Sequence, residues 1–222
     1  MRVEAPALLL FDLDGTLVDS APDLAGAAND LRQVHGLPSL PYEALRPMVG
    51  TGARGMVGVA FGVAPGEDRF ADLRDAFLAR YAERLLQSTR VFDAMAPVLD
   101  RLDAAGQRWG IVTNKAMRFA EPIVAGLGLS ARAAVVIAGD TTPYAKPHPE
   151  PLLEAARRLG MAPAACAYVG DDERDVVAGR AAGMITLAAA WGYLGQGEPV
   201  GGWGADHVLS SPAELLQWLN LA

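Results

Sequence analysis

An α/β fold is predicted, a doubly wound parallel sheet carrying an inserted all-helical cap domain, and three observations predict it. The run Ala7-Leu8-Leu9-Leu10-Phe11 reads as a strand buried on both faces. From Ala94 onward helical and strand patterns alternate, which implies βαβ crossovers and a mostly parallel sheet with helices on both sides. Between these parts lies a stretch of about seventy residues with helical character throughout, far too long for an ordinary crossover.

The elements follow in order. After the first strand, apolar residues recur at helical spacing over residues 23–35, and Gly36-Leu37-Pro38 ends that helix. Further helices are expected at 42–46, 53–61 and 68–87, with no strand between them. A helix at 94–105 is stopped by Gly106, and Arg108-Trp109-Gly110-Ile111-Val112 reads as the next strand. Later strands are expected at 134–138, 166–169, 184–189 and 207–209, with helices at 116–126, 149–159, 174–182 and 212–219. Linkers near residues 17–22 and 89–92 divide the chain into a core, residues 1–18 plus 91–222, and a helical cap, residues 19–90.

Composition bounds what such a protein does. A chain of 222 residues buries about 70% of its unfolded surface, and 51% hydrophobic with 20% charged residues is an ordinary globular balance. The net charge of −7 argues against a nucleic-acid partner, which demands a basic face. No apolar run reaches the length of a membrane span, and Met1-Arg2-Val3-Glu4-Ala5-Pro6 lacks the apolar segment of a signal peptide, so a cytoplasmic location is expected. Cys166, the only cysteine, excludes an intrachain disulfide and reads as a small buried strand residue.

The chemistry is concentrated where strands end. Asp12 and Asp14 follow the first strand, with Gly15 and Thr16 completing the turn. An Asp-Gly turn needs no function by itself. Here, however, Thr113-Asn114-Lys115 follow the second core strand, Lys146 lies among prolines after another, and Gly170-Asp171-Asp172 with Asp175 follow a third. Each has a plain explanation as a helix cap or loop residue, but the C-terminal ends of parallel strands share one edge, so all four segments converge.

Asp12, Asp171 and a backbone carbonyl are hard oxygen donors suited to Mg²⁺, and the absence of a His or Cys cluster argues against zinc. Asp12 then has the chemistry of a phosphorus-attacking nucleophile and Asp14 that of a general acid and base. Thr113 offers a hydroxyl to phosphoryl oxygens, and Lys146 offsets the clustered negative charge.

The ordered set Asp12-x-Asp14-Gly15-Thr16, Thr113-Asn114, Lys146-Pro147 and Gly170-Asp171-Asp172-x-x-Asp175 resembles the four motifs of the haloacid dehalogenase superfamily. That resemblance implies Asp12 as nucleophile, Asp14 as acid/base and, through its carbonyl, a magnesium ligand, and Asp171 as a further ligand. It also implies that Thr113 and Lys146 bind the phosphoryl group, with Asp175 and Asp172 supporting the site. Dehalogenases of the superfamily lack the second acid, so Asp14 favours phosphoryl transfer.

The helical insertion resembles the cap of the phosphoglycolate phosphatase group, which closes over small substrates. Gly52-Ala53-Arg54, Trp109 to Lys115 with Arg118-Phe119-Ala120-Glu121-Pro122, and Trp191-Gly192-Tyr193 look more like N-acetylmuramic acid 6-phosphate phosphatases of cell-wall recycling. The implied partner is a small phosphorylated metabolite with a carboxylate, which Arg54 could clamp bidentately; Asn114, Gly15 and Thr16 are further substrate-side candidates, and Arg118 a weaker one. A sugar-phosphate mutase with the same core, or a catalytically idle binding module, remains an alternative. Either a monomer or a homodimer fits the sequence.

Overall fold

The computed structural model describes residues 5–222; residues 1–4, the start of the N-terminal segment read above as lacking a signal, lie outside the described residues. Strand β1 (Leu8–Phe11) runs into a tight turn and the short strand β2 (Val18–Asp19), followed by helices α1 (Ala21–Val34), α2 (Tyr42–Leu45), α3 (Gly52–Phe61) and α4 (Phe70–Ala82). A 3₁₀ turn, Arg46–Thr51, joins α2 to α3. Strand β3 (Arg90–Val91) then returns antiparallel beside β2, pairing Val18 with Val91 and Asp19 with Arg90. The remainder alternates: α5 (Ala96–Ala104), β4 (Trp109–Val112), α6 (Met117–Gly126), β5 (Val136–Ile137), α7 (Glu150–Arg158), β6 (Cys166–Gly170), α8 (Glu173–Ala181), β7 (Ile185–Ala189), β8 (His207–Leu209) and α9 (Pro212–Trp218).

Six strands form one sheet in the order β5-β4-β1-β6-β7-β8, parallel throughout. Strand β1 is central, and its four side chains are fully buried because helices cover both faces of the sheet. Leu9 and Phe11 pack on one face with Leu99 of α5, Ile123 of α6 and Leu215 of α9. Leu8 and Leu10 pack on the other with Leu152 and Ala155 of α7 and Ala178 of α8. Each such leucine contributes about 1.5–3 kcal/mol of burial, which fixes the register of the strand that delivers Asp12. Cys166 is a buried residue at the start of β6.

The fold class is as predicted, and the differences lie in short or terminal pieces. The helix expected over 68–87 stops at Ala82, and single-turn bonds such as Arg84 N–H to the Tyr81 carbonyl carry the chain to residue 87. The buried carboxylate of Asp23 then accepts from Ser88 N, Thr89 N and Thr89 Oγ1 at 2.7–3.1 Å, drawing those residues out of helical geometry. The strand expected over 134–138 contracts to two residues at the sheet edge, where only β4 is available to pair with it. The β2–β3 ribbon has two residues per strand, too few for a hydrophobic period to be read.

Candidate active site

The turn after β1 aims its carboxylates by backbone geometry. Gly15 has φ +86, a left-handed conformation that suits glycine, and a Cβ there would collide with the Asp171 carboxylate. Glycine is therefore required twice over at this point. Thr16 next to it is fully buried, and its Oγ1 donates to Asp171 Oδ1 at 2.9 Å. Gly15 and Thr16, expected on the substrate side, thus shape the acid cluster instead: the turn packs directly against the end of β6.

Asp12, Asp171 and Asp175 present carboxylate oxygens within 4.8 Å of one another. Lys146 reaches into this group, with Nζ 2.9 Å from Asp12 Oδ1 and 2.7 Å from Asp175 Oδ1. It also donates to Tyr168 Oη at 2.7 Å. The leucine N–H at position 13 donates to Asp12 Oδ1 at 2.8 Å, while Oδ2 of Asp12 has no donor among the described residues. Burial drives the Asp12 carboxyl up to about 7, with Asp175 adding to the rise and Lys146 opposing it. Burial likewise holds Asp171 well above the usual carboxylate range, reinforced by Asp12 and Asp175. For Lys146 burial alone would lower the value, but the two carboxylates outweigh it and the net shift is upward.

Buried Asp171 and Asp175 and half-buried Asp12, with a single lysine paired to two of them, leave net negative charge in a poorly solvated place, and all three offer hard oxygen donors. A small divalent cation fits this set. Asp175 was expected only as a supporting residue; here it stands in the cluster and also closes a capping box with Asp172 at the start of α8. Asp172 itself accepts from Arg174 through both oxygens, at 2.7 and 2.8 Å.

Asp14 lies apart from that cluster. Its two oxygens accept from Lys115 Nζ at 2.8 and 3.0 Å, and Oδ1 also accepts from Ser20 Oγ. Thr113 is buried at the end of β4, and its Oγ1 accepts from Lys115 N at 3.1 Å, which leaves the hydroxyl hydrogen free to donate. Asn114 makes a reciprocal pair with the Lys146 backbone, Nδ2 to the carbonyl and N–H to Oδ1, each 2.9 Å. Its polar atoms therefore tie two loops together rather than facing a ligand.

A cavity of about 330 Å³ opens above these residues, floored by Asp12, Asp14, Thr113 and Asp171 and roofed by residues 49–53, Phe77 and Tyr81 of the helical segment. Arg118 lines it. Arg54 does not: it is exposed on α3, one residue beyond the lining Ala53, and the helical turn carries its side chain away.

Several participants carry no recognisable local signal. Lys115 was visible only as the third polar residue of a strand end, and nothing in the sequence pairs it with Asp14. Tyr193 Oη accepts from Ser20 N and Ala21 N at 2.8 and 3.0 Å and donates to Asp19 Oδ1 at 3.0 Å, while its own N–H donates to Asp171 Oδ2 at 2.8 Å. Arg46 stacks over the Tyr193 ring at 5.0 Å and donates to the Gly192 carbonyl at 3.1 Å. Arg174 donates to the Gly50 carbonyl. These contacts join the helical segment to the sheet edge across more than a hundred residues of sequence.

The chain is similar to known proteins along most of its length. The profile of a family described as haloacid dehalogenase-like hydrolase matches residues 6–183. A phosphoglycolate phosphatase of Xanthomonas campestris is 48% identical over 211 residues, covering 95% of each chain. An N-acetylmuramic acid 6-phosphate phosphatase of Pseudomonas aeruginosa is 41% identical over 222 residues, covering 100% of this chain and 97% of that one. The crystal structure of a predicted phosphoglycolate phosphatase from Haemophilus somnus superposes with a TM-score of 0.84 at 28% identity, covering 95% of this chain and 96% of that chain.

Proposed function

The chain belongs to the haloacid dehalogenase-like hydrolase family, and from that premise we propose that it is a Mg²⁺-dependent phosphatase hydrolysing a small phosphate monoester that bears a carboxylate. The observation that carries this reading is the cluster of Asp12, Asp171 and Asp175 around Lys146 at the edge of a parallel sheet. Asp12, Asp171 and the Asp14 carbonyl would hold the cation, with Asp175 alongside. When bound, Mg²⁺ offsets the charge of the carboxylates and of the phosphoryl oxygens.

Asp12 Oδ2, free of donors, attacks phosphorus; the bond to the ester oxygen breaks, and an aspartyl-phosphate forms. Asp14 gives a proton to the leaving oxygen and later takes one from the water that attacks the phosphoryl group, releasing phosphate and restoring Asp12. Thr113 donates its hydroxyl hydrogen to a phosphoryl oxygen. Lys146, fixed by Asp12, Asp175 and Tyr168, supplies positive charge that need not reorganise during the reaction.

Residues 19–90 act as the cap on a core of residues 1–18 plus 91–222, and the paired β2 and β3 are its two linkers. The relatives' names give two substrates of the proposed class, 2-phosphoglycolate and N-acetylmuramic acid 6-phosphate. A cavity of about 330 Å³ is in the range that holds ligands of many atoms. That favours the sugar phosphate over a two-carbon acid.

The test is phosphate release from a panel of phosphorylated metabolites with Mg²⁺, both candidates included. Preferential release from N-acetylmuramic acid 6-phosphate is expected, and Asp12→Asn should reduce kcat at least about 10³-fold. An Asp12→Asn protein as active as the parent would sink the mechanism. An isomerised sugar phosphate without released phosphate would make the protein a mutase.

A further inference from the structure

Four cationic side chains line the cavity: Lys115, Arg118, Lys146 and Arg174. Three already face carboxylates, Lys115 that of Asp14, Lys146 those of Asp12 and Asp175, and Arg174 that of Asp172. Of these four, Arg118 alone has neither an ion pair nor a side-chain hydrogen bond to another described residue. Like Arg54 it is exposed, but it lines the cavity, and its guanidinium lies 4.6 Å from the ring centre of Phe119, a buried residue of the same wall. A planar fork of donors on an aromatic face, with no acceptor, has the geometry that grips a carboxylate bidentately.

A second observation adjoins it. The Phe119 ring stands 5.5 Å from that of Tyr81, which also lines the cavity, and the buried Tyr81 hydroxyl has no hydrogen-bond partner among the described residues. An unmatched buried hydroxyl costs free energy that an incoming acceptor recovers. Arg118 also lies in the first turn of α6, where the helix dipole favours an anion. Two neighbouring walls of the cavity thus offer donors without acceptors, while the phosphoryl-side cations Lys146 and Lys115 are already matched.

We propose that Arg118, on the aromatic wall that Phe119 and Tyr81 form, holds the substrate's carboxylate and so selects acidic phosphate esters over neutral ones. This rests on the phosphatase function proposed above and moves the role expected of Arg54 to a residue of the core. Arg118 is a specificity residue: the reacting atoms lie at the other end of the substrate, so its removal raises KM more than it lowers kcat.

The experiment compares matched esters with Mg²⁺. N-acetylmuramic acid 6-phosphate is set against N-acetylglucosamine 6-phosphate, which lacks the lactyl acid, and 2-phosphoglycolate against ethyl phosphate. In the parent protein kcat/KM favours the acid of each pair. Arg118→Ala should cut that ratio about 10- to 100-fold, the factor of a charge-assisted hydrogen bond, mainly through KM, and Arg118→Lys should recover part of it. An unchanged ratio in Arg118→Ala, or a collapse in Arg54→Ala and not in Arg118→Ala, overturns the proposal. Absence of phosphate release from every ester overturns the phosphatase function on which it stands.

Discussion

Asp14 shows how far the role of one carboxylate depends on what touches it. Lys115 donates to both of its oxygens and Ser20 to one, so the side chain is held away from Asp171 and Asp175 and beside the cavity. Lys115 is itself confined, with Nζ 4.8 Å from the ring centre of Tyr81. Replacing it by methionine keeps the length of the side chain and frees Asp14 to rotate. On the proposed mechanism Lys115→Met should lower kcat about 10- to 100-fold, part of the factor a general acid supplies, with a smaller change in KM. Steady-state kinetics on the preferred ester would expose the opposite pattern, an intact kcat, which would make Lys115 irrelevant to proton transfer.

At the scale of elements, the join between the helical segment and the sheet hangs on α1. Its N-terminus is met by the Tyr193 hydroxyl, which accepts from Ser20 N and Ala21 N. Two residues into the helix, Asp23 is fully buried and accepts from Ser88 N, Thr89 N and Thr89 Oγ1. One carboxylate therefore ties the outgoing chain to the returning one just before β3. Asp23→Ala would leave the two buried Thr89 donors without a partner, at a cost of about 2–4 kcal/mol. Urea unfolding of the variant should show that loss as a lower midpoint with an unchanged slope; a midpoint equal to the parent's would mean the donors find water instead.

For the molecule as a whole, the acid cluster couples stability to pH and to metal. Asp12 rises from 3.8 in an exposed setting to about 7 in the folded chain, because burial penalises its charged form. Between those values the folded state keeps a proton that the unfolded state has released. Stability is then fully present below about 4 and declines as pH rises through about 7. Metal-free protein should accordingly melt at a lower temperature at pH 8 than at pH 5. A bound cation replaces the proton, so Mg²⁺ at a hundredfold excess over its Kd should raise the melting temperature at pH 8 by about 5–10 °C, and by less at pH 5. Calorimetry in chelator and in Mg²⁺ checks both signs, and a melting temperature indifferent to pH in chelator would contradict the buried carboxylates.

Local chemistry determined much of this protein from its sequence. Apolar strands, the alternation after Ala94 and the polar residues closing each strand gave the parallel sheet and the edge where Asp12, Thr113, Lys146 and Asp171 converge, because a side chain's place on a strand end follows from neighbours a few residues away. Among the described residues no helix is long and apolar enough to cross a membrane. Tertiary structure alone decided which charges meet. Asp175 joins Asp12 and Asp171, Asp14 turns to Lys115 across 101 residues, Tyr193 reaches back 173 residues to Ser20, and Arg118 rather than Arg54 faces the cavity. Such pairings are set by packing between distant segments, and no periodicity or spacing along the chain encodes a contact whose partners are brought together only when the helices close over the sheet.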